Sequence, residues 1–233
     1  MALFCGSLAF ISLLVLLFAF PGMIPAASSF SEPSQKSPAS RISPALFSPQ
    51  PTAPDGSLAK GKFLVASANI GDPRFSESVI LLIDYGIRGA FGLIINRPTE
   101  IKLSRVFTDM EGLKQRKDTL YVGGPVGNDQ MFLLVHSDGQ PEGSSRIFKN
   151  VYISGSKTLL KHIVDKPDME RKFRVYIGYA GWSAQQLDQE VARGDWYILS
   201  ADAGIIFDKE ASEIWPQLFR RSKAKWVMST PLS

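Results

Sequence analysis

Residues 79–96, which read VILLIDYGIRGAFGLIIN, decide the fold class of this chain. Val79–Tyr85 and Ala90–Asn96 are apolar runs of strand length, rich in β-branched and aromatic side chains. The connection between them, Gly86–Gly89, begins and ends in glycine and is short enough for a hairpin turn. The pattern therefore predicts two neighbouring antiparallel strands.

Strand-length runs continue on both sides of this hairpin and predict about eight strands in all. The other runs are Phe63–Ala68, Thr119–Val122, Met131–His136, Phe173–Ala180, Trp196–Ser200 and Gly204–Phe207. Apolar residues at helical spacing, or helix-capping signals, predict about four helices. These helices lie within Leu103–Gln115, Ser156–Val164, Ser183–Ala192 and Lys209–Lys223. Because there is no steady β-α-β alternation, the pattern indicates an α+β domain with a mainly antiparallel or mixed sheet.

The amino-terminal part of the chain has the composition of a targeting segment. Residues 1–30 contain no charged side chain, and Leu8–Phe20 form an unbroken apolar run that Pro21 and Gly22 close. Such a run, followed by small residues at 26–29, is typical of a secretory signal peptide. No lysine or arginine precedes the run, so an uncleaved membrane anchor is the alternative. We predict that residues 1–29 direct export, periplasmic or secreted, or anchor the protein.

Residues 30–59 are rich in serine, proline and alanine and carry few charges. They cannot bury enough apolar surface to offset the entropy of ordering, so they are predicted to form a disordered linker. A Ser-rich, acid-poor stretch after a signal also resembles a two-part plastid address, which makes a plastid the alternative location. The folded domain is predicted to occupy residues 60–233. Membrane contact is expected only through the amino-terminal segment.

The composition of the whole chain excludes several kinds of site. The 233 residues include 26 Lys+Arg and 22 Asp+Glu, which gives a net charge of +4. The single cysteine, Cys5, lies in the uncharged leader, so the domain has no disulfide scaffold, thiolate metal site or cysteine nucleophile. The two histidines, His136 and His162, do not have a metal-binding spacing. We therefore predict neither a metal nor a cofactor.

Two pairs of residues could support hydrolytic or transfer chemistry. Ser154 and Lys157 form an S-x-x-K motif, in which a serine nucleophile uses a lysine one helical turn away. The companion motifs of such enzymes are missing or misplaced, so a helix cap beside a solvated lysine is the simpler interpretation. His136 and Ser137 form the second pair. No catalytic residue is predicted, because an enzyme would need one pair within hydrogen-bonding distance in an accessible cleft.

Several other features each have a functional and a simpler structural interpretation. Gly123–Pro125 could present backbone N–H groups to an anion, or could form a tight connection. Gly178–Trp182 could form a pocket wall, or could pack in the core. The basic run Arg220–Trp226 could contact nucleic-acid phosphates, or could complement the end of a helix. Asp202 and Asp208 flank a predicted strand and could bind a divalent cation, or could more simply end a turn and cap the last helix.

Taken together, these motifs resemble the YqgE/AlgH family over about residues 60–229. The matching segments are Asp72-Pro73 with Phe75, Gly89–Pro98, Gly123–Val126, His136-Ser137, Gly178–Trp182 with Gln186 and Glu190, and Ala201-Asp202 with Ile206–Asp208. The resemblance implies a compact domain with a curved, partly bifurcated sheet, and it supplies no catalytic residue or cofactor. Some family members are described as transcriptional regulators. The chain departs from the family pattern at Tyr85, where a histidine is common.

The function expected from this resemblance is that of a non-enzymatic binding or regulatory domain for a protein or a small ligand. Its candidate binding surface comprises Asn96, Arg97, Gly123, Gly124, His136, Tyr179 and Trp182. A shallow pocket is expected near Asn96, Arg97, Tyr179 and Trp182. An enzyme is the first alternative and a transcriptional regulator the second. Export would separate the protein from chromosomal DNA, which argues against a nucleic-acid partner.

Overall fold

A curled, mainly antiparallel sheet organises residues 56–166 and 171–229, the part of the chain that this computed structural model describes. Its strands are β1 (Lys62–Ala66), β2 (Val79–Gly86), β3 (Gly89–Ile94), β4 (Pro98–Lys102), β5 (Thr119–Val122), β6 (Val126–His136), β7 (Ser145–Phe148), β8 (Val151–Ser154), β9 (Lys172–Trp182) and β10 (Trp196–Ser200). The helices are α1 (Leu103–Val106), α2 (Lys157–Asp165), α3 (Gln186–Ala192), α4 (Ala203–Phe207) and α5 (Ala211–Ser229). The predicted α+β class is confirmed.

The predicted hairpin forms the middle of one half of the sheet. β2 and β3 pair antiparallel from Ile80 opposite Ile94 to Gly86 opposite Gly89, with an irregularity between Leu82 and Asp84. On its other edge β2 pairs with β1, which in turn pairs with β10, so the main strand order is β10-β1-β2-β3-β9-β6-β8-β7.

The sheet forks at β9. Residues 175–177 of β9 pair parallel with β5, whereas residues 180–182 pair antiparallel with β3. Gly123, directly after β5, lies at this fork: its N–H donates to the Ile177 carbonyl and its carbonyl accepts from the Ile94 N–H, both at 2.8 Å. Gly178 has a φ of +70°, a conformation that glycine adopts at little cost, and it interrupts the regular alternation of β9 side chains.

Three groups of buried side chains form the core. The first lies between the sheet and helices α4 and α5 and includes Phe63, Leu81, Leu93, Tyr176 and Leu218. The second packs α1 and α2 against β6 and β9 and includes Leu103, Leu133, Leu160 and Val175. The third lies under α3 and includes Leu64, Ile80, Trp182, Leu187 and Trp196. These groups are mostly the apolar runs from which the strands were predicted.

Several predicted elements differ from the structure. Within Leu103–Gln115 the helix stops at Val106, and a 3₁₀ turn follows at Glu111–Leu113. Gly204–Phe207, predicted as a strand, belongs to α4, because the Asp202 side chain accepts from the Ile205 N–H and caps a helix there. The hairpin of β7 and β8 and the exposed strand β4 were not predicted.

The predicted helix after β9 begins later than its capping signal suggested. The Gln186 side chain accepts from the Ser183 N–H at 3.1 Å, as in a capping box, but α3 begins only at Gln186. Gln185 between them has a φ of +63°, which breaks the helical path. The last predicted helix, within Lys209–Lys223, corresponds to α5, which contains Pro216 in its interior.

Residues 1–29, the predicted signal or anchor, lie outside the described residues. Residues 30–55 of the predicted linker do so as well. The extent of the folded domain therefore stays a prediction at its amino-terminal boundary. In the part of the chain that is described, none of the helices is long and apolar enough to cross a membrane.

Candidate functional site

A cleft of about 470 Å³ opens between the Asp72–Phe75 turn, the end of β9 and α3. The turn precedes β2, and its backbone is shaped by the Asp72 side chain, which accepts from the Arg74 N–H at 2.9 Å. Pro125 and Val126 close the cleft on the side of β6. Volumes of this order are typical of small-ligand sites.

The carboxylate of Glu190, on α3, joins the two tryptophans at this cleft. The indole N–H groups of Trp182 and Trp196 both donate to Oε2 of Glu190, each at 2.8 Å. The Gln186 amide donates to Oε1 at 3.0 Å. Because Trp182 ends β9 and Trp196 begins β10, these bonds fix α3 against both strands. Trp182, Gln186 and Glu190 all line the cleft.

Aromatic packing around Phe75 also supports the arrangement of the two tryptophans. Phe75 lies 6.3 Å from Trp182 in a stacked orientation and 5.6 Å from Trp196 in an edge-on one, between ring centroids. All three rings are buried, and their contacts link the Asp72–Phe75 turn to β9 and β10. The cleft wall is therefore fixed by packing as well as by hydrogen bonds.

Two ion pairs border the cleft. Arg74 pairs with Asp72 at 2.7 Å, and Arg193 pairs with Asp195 at 2.7 Å. The hydrogen bonds from Arg74 hold the pKa of the Asp72 carboxyl below its ordinary value. Each arginine is thus neutralised by an aspartate two residues away, while the arginine side chains themselves stay more than half exposed.

Two of the candidate residues support the cleft without lining it. The Asn96 side chain accepts from the Val79 N–H and donates to the Glu77 carbonyl, each at 2.9 Å. The half-buried Arg97 donates to the Ser76 carbonyl at 3.1 Å, and burial lowers the pKa of its guanidinium. Both side chains therefore fasten the segment that follows the Asp72–Phe75 turn.

Gly123 and Gly124 serve close backbone packing. The Gly123 N–H donates to the Ile177 carbonyl and is not available to an anion. A Cβ on Gly123 would lie 2.3 Å from the Gly178 carbonyl oxygen, and one on Gly124 would lie 2.1 Å from the Tyr179 carbonyl carbon. The absence of a side chain is what lets this connection pass beside β9.

Tyr179 and His136 lie elsewhere in the fold. Tyr179 packs edge-on against Phe91 and Phe132 with the first core group. His136 stacks on Phe207 at 5.9 Å and pairs across the sheet with Lys172, the first residue of β9. Trp182 is the last residue of that strand, so roughly 30 Å of extended chain separates the two ends. Of the seven candidate residues, only Trp182 lines the cleft.

Neither residue pair considered for catalysis is joined by a hydrogen bond in the described structure. The Ser154 hydroxyl donates to the Gly143 carbonyl at 2.7 Å and accepts from the Ser156 N–H at 3.1 Å. Lys157 instead pairs with Asp109 at 3.1 Å. The Ser156 side chain caps α2, as the simpler interpretation expects. The ring of His136 stacks on Phe207, whereas Ser137 is buried beside it.

The remaining charged features have structural roles. α5 continues to Ser229, so the basic run starting at Arg220 lies within this helix, and Lys223 lies 5.0 Å from the Phe219 ring centroid. Asp202 caps α4, and Asp208 pairs with Lys172 at 2.6 Å. In residues 56–166 and 171–229, no group of three His, Cys, Asp or Glu side chains could hold a metal ion.

Sequence reasoning missed Glu190 and Trp196 as site residues, although a signal was present. Gln186 and Glu190 have an i,i+4 spacing that places them on one helix face, and tryptophans flank the helix at 182 and 196. Buried indole N–H groups require acceptors, so a carboxylate between two tryptophans is the natural partner. The role of Phe75 depends on the tertiary fold and left no such local signal.

Comparison with known proteins places the chain in a family. A family model described as AlgH-like matches residues 63–227. A UPF0301 protein of Methylococcus capsulatus is 36% identical over 177 residues, which cover 74% of this chain and 96% of the relative. One of Chlorobium phaeobacteroides is 33% identical over 165 residues, which cover 70% of this chain and 86% of the relative.

Solved structures agree with these relatives. The solution structure of the AlgH protein from Pseudomonas aeruginosa matches with a TM-score of 0.59 and 29% identity, over 79% of this chain and 95% of that one. The crystal structure of a Corynebacterium diphtheriae protein matches with a TM-score of 0.62 at 23% identity, covering 72% and 88%, and supports the fold. The chain belongs to the AlgH-like family, and the resemblance found in its sequence is confirmed.

Proposed function

We propose that this member of the AlgH-like family is a non-enzymatic binding domain, which receives a protein segment or a small ligand in the cleft between the Asp72–Phe75 turn and α3. One observation carries the proposal: the cleft wall is already fixed by the hydrogen bonds from Trp182 and Trp196 to Glu190. Sites that bind with little rearrangement lose less conformational entropy on association.

An enzymatic function has less support. The Ser154 hydroxyl is engaged by backbone groups, and Lys157 is paired with Asp109, so this pair has no basis for activating a nucleophile. A transcriptional regulator is supported only by the label of some family members. The basic residues of α5 are few, and at least Lys223 packs against an aromatic ring of its own helix.

The proposal can be tested by titrating the full-length chain with small neutral, cationic and anionic compounds, and with short peptides of the same three charge types, while recording ¹⁵N–¹H spectra of the indole groups. Binding should shift the signals of Trp182 and Trp196. The signal of Trp215 is the internal control, because its indole donates to the Ala66 carbonyl and does not line the cleft. If no compound shifts the first two signals selectively, the proposed function is wrong.

A matched pair of variants sharpens this test. Gly71 lines the cleft, and a Cβ built there meets no atom within 4 Å, so Gly71→Phe should fill the cleft without straining the fold. Gly139→Phe is the control, since a Cβ on Gly139 also meets nothing and this residue lies outside the cleft. Binding should be lost in the first variant and kept in the second.

A further inference from the structure

We infer that the cleft recognises a positively charged group of its ligand, a protonated amine or a guanidinium, through the carboxylate of Glu190. This inference rests on the proposed function and names the chemistry of the ligand. The charged side chains that line the cleft are those of Asp72, Arg74, Glu190, Arg193 and Asp195.

Four of these five charges neutralise one another in pairs. Arg74 binds Asp72, and Arg193 binds Asp195, each at 2.7 Å. Glu190 differs, because its partners are two indole N–H groups and one amide, which are all neutral. Among the described residues no lysine, arginine or histidine forms an ion pair with it. The lining of the cleft therefore holds one negative charge without a counterion.

The hydrogen-bonding capacity of Glu190 is also incomplete. An ionised carboxylate offers about four acceptor positions, two on each oxygen. Oε2 accepts from both indoles, whereas Oε1 accepts only from Gln186. One position on Oε1 is left for a donor that enters the cleft. A cationic N–H donor would satisfy this position and the uncompensated charge together, which a neutral donor would not.

The same contacts argue against an anionic ligand. The Arg74 side chain donates to both oxygens of Asp72: Nε lies 3.1 Å from each oxygen, and Nη2 lies 2.7 Å from Oδ2. Binding an anion would therefore require this ion pair to open. Arg193 would have to leave Asp195. An anion would in addition be repelled by the Glu190 carboxylate, which forms no ion pair with any described residue and lines the same cleft.

The test uses four probes with one butyl chain: n-butylammonium, n-butylguanidinium, butyrate and the neutral butyramide. The full-length chain is titrated in low salt, with the indole signals of Trp182 and Trp196 as the readout. Both cations should bind more tightly than butyramide, and butyrate should not bind. Glu190→Gln should weaken the cations by about tenfold, because a hydrogen bond to a charged group is lost, and should weaken butyramide less, because the donor of butyramide is neutral.

A second variant keeps the test decisive if Glu190→Gln is poorly folded. Arg193→Ala removes an exposed cation from the rim and leaves Asp195 uncompensated, so it should strengthen cation binding severalfold. Butyrate shifting both indoles, or cation affinity that is the same in all three proteins, would overturn the inference while leaving a binding site in place. A complete lack of shifts with every probe would remove the proposed function as well.

The same experiment can distinguish a cationic side chain of a protein partner from a small cationic molecule. Blocked tripeptides with lysine or arginine at the centre present the group as a protein would, and a glutamine tripeptide is their neutral control. Tighter binding of the basic tripeptides than of the free butyl cations would assign a protein partner. The reverse order would assign a small amine or guanidine. The inference would be contradicted if all three tripeptides bound equally weakly and the butyl cations shifted neither indole signal.

Discussion

Trp182 and Trp196 meet edge-on, with 6.1 Å between ring centroids and 82° between ring planes, and share a single acceptor oxygen. The two residues belong to strands that lie far apart in the sheet order, β9 and β10. Their common partner, Glu190, lies on the helix that connects these strands. The arrangement therefore joins a local helix to two separate parts of the sheet.

Removing this acceptor should destabilise the protein. Glu190→Ala leaves two buried indole N–H groups without a partner, and we expect a loss of about 3 kcal/mol in the free energy of unfolding. Glu190→Gln keeps one oxygen as acceptor and should lose about 1 kcal/mol. Urea unfolding measures both. Glu213→Ala, which removes an exposed pair with Lys209, is the control and should change stability by less than about 0.5 kcal/mol. Equal losses in all three variants would contradict this account.

The fork in the sheet makes a second prediction. Gly123→Ala places a Cβ 2.3 Å from the Gly178 carbonyl oxygen and 2.9 Å from Leu93 Cδ2, so the backbones of the fork must move apart. We expect a loss of about 3 kcal/mol, at the upper end of overpacking effects. Gly139→Ala, where the new methyl group meets no atom, should lie within about 0.5 kcal/mol of the original chain. A tolerated Gly123→Ala would show that this close approach is not required.

Tyr85 should titrate at unusually high pH. Its hydroxyl donates to Oδ1 of Asp188 at 2.7 Å, and this bond, followed by burial, raises the pKa of the tyrosine. Because the folded-state pKa is above the unfolded value of about 10, the stabilisation is complete below pH 10. It is lost as the pH rises through the folded-state pKa.

Ultraviolet titration of tyrosinate, compared with Tyr85→Phe, measures this pKa. Asp188→Asn removes the carboxylate charge and should bring the pKa of Tyr85 back towards 10. A Tyr85 pKa that does not respond to Asp188→Asn would rule out this carboxylate as the cause. Loss of the bond should also weaken the attachment of α3 to β2.

The enzymatic alternative based on Ser154 and Lys157 gives a clear negative expectation, because the S-x-x-K motif is that of penicillin-recognising acyl enzymes. Ser154 is bonded on both sides by backbone groups, so the full-length chain should not be labelled by a fluorescent penicillin under conditions that label a penicillin-binding enzyme. Ser154→Ala should instead lower stability by about 1 kcal/mol through the lost hydrogen bonds. Labelling that disappears in Ser154→Ala would restore the enzymatic interpretation.

The amino-terminal targeting segment, residues 1–29, yields a separate prediction. We propose that the first 29 residues direct export, since the apolar run Leu8–Phe20 is followed by small residues at 26–29. Mass spectrometry of the mature amino terminus should then find cleavage within that small-residue stretch. An intact Met1 in the membrane fraction would favour an anchor. Cleavage after residue 30, with the protein in a plastid, would favour the two-part address.

Burial was easier to predict from the sequence than the type of element. Leu103, Val106, Phe107 and Met110 have the spacing expected for one helix face, and all but the exposed Val106 are buried in the second core group. Yet the chain forms only a short helix and a 3₁₀ turn there. A Cβ on Gly112 would lie 2.3 Å from the Val164 carbonyl, so contact with α2, which no local pattern reveals, determines the path.

A short apolar run does not by itself distinguish a buried strand from a buried helix. The run at Gly204–Phe207 fits a buried strand and a buried helix equally well by periodicity. In the structure this run is helical, because the Asp202 side chain caps the helix. At the candidate site, Trp182 lines the cleft, whereas His136 lies beside the other end of β9 and stacks on Phe207.

The central position of β9 determines when this protein can fold during synthesis. β3, β5 and β6 all pair with β9, and β1 completes its second edge only with β10, as in the pairing of Lys62 with Ser200. A nascent chain that ends before residue 172 therefore holds several strands with open edges. Such edges associate with other chains, and non-local pairing slows folding. We therefore expect fragments that stop before β9 to aggregate.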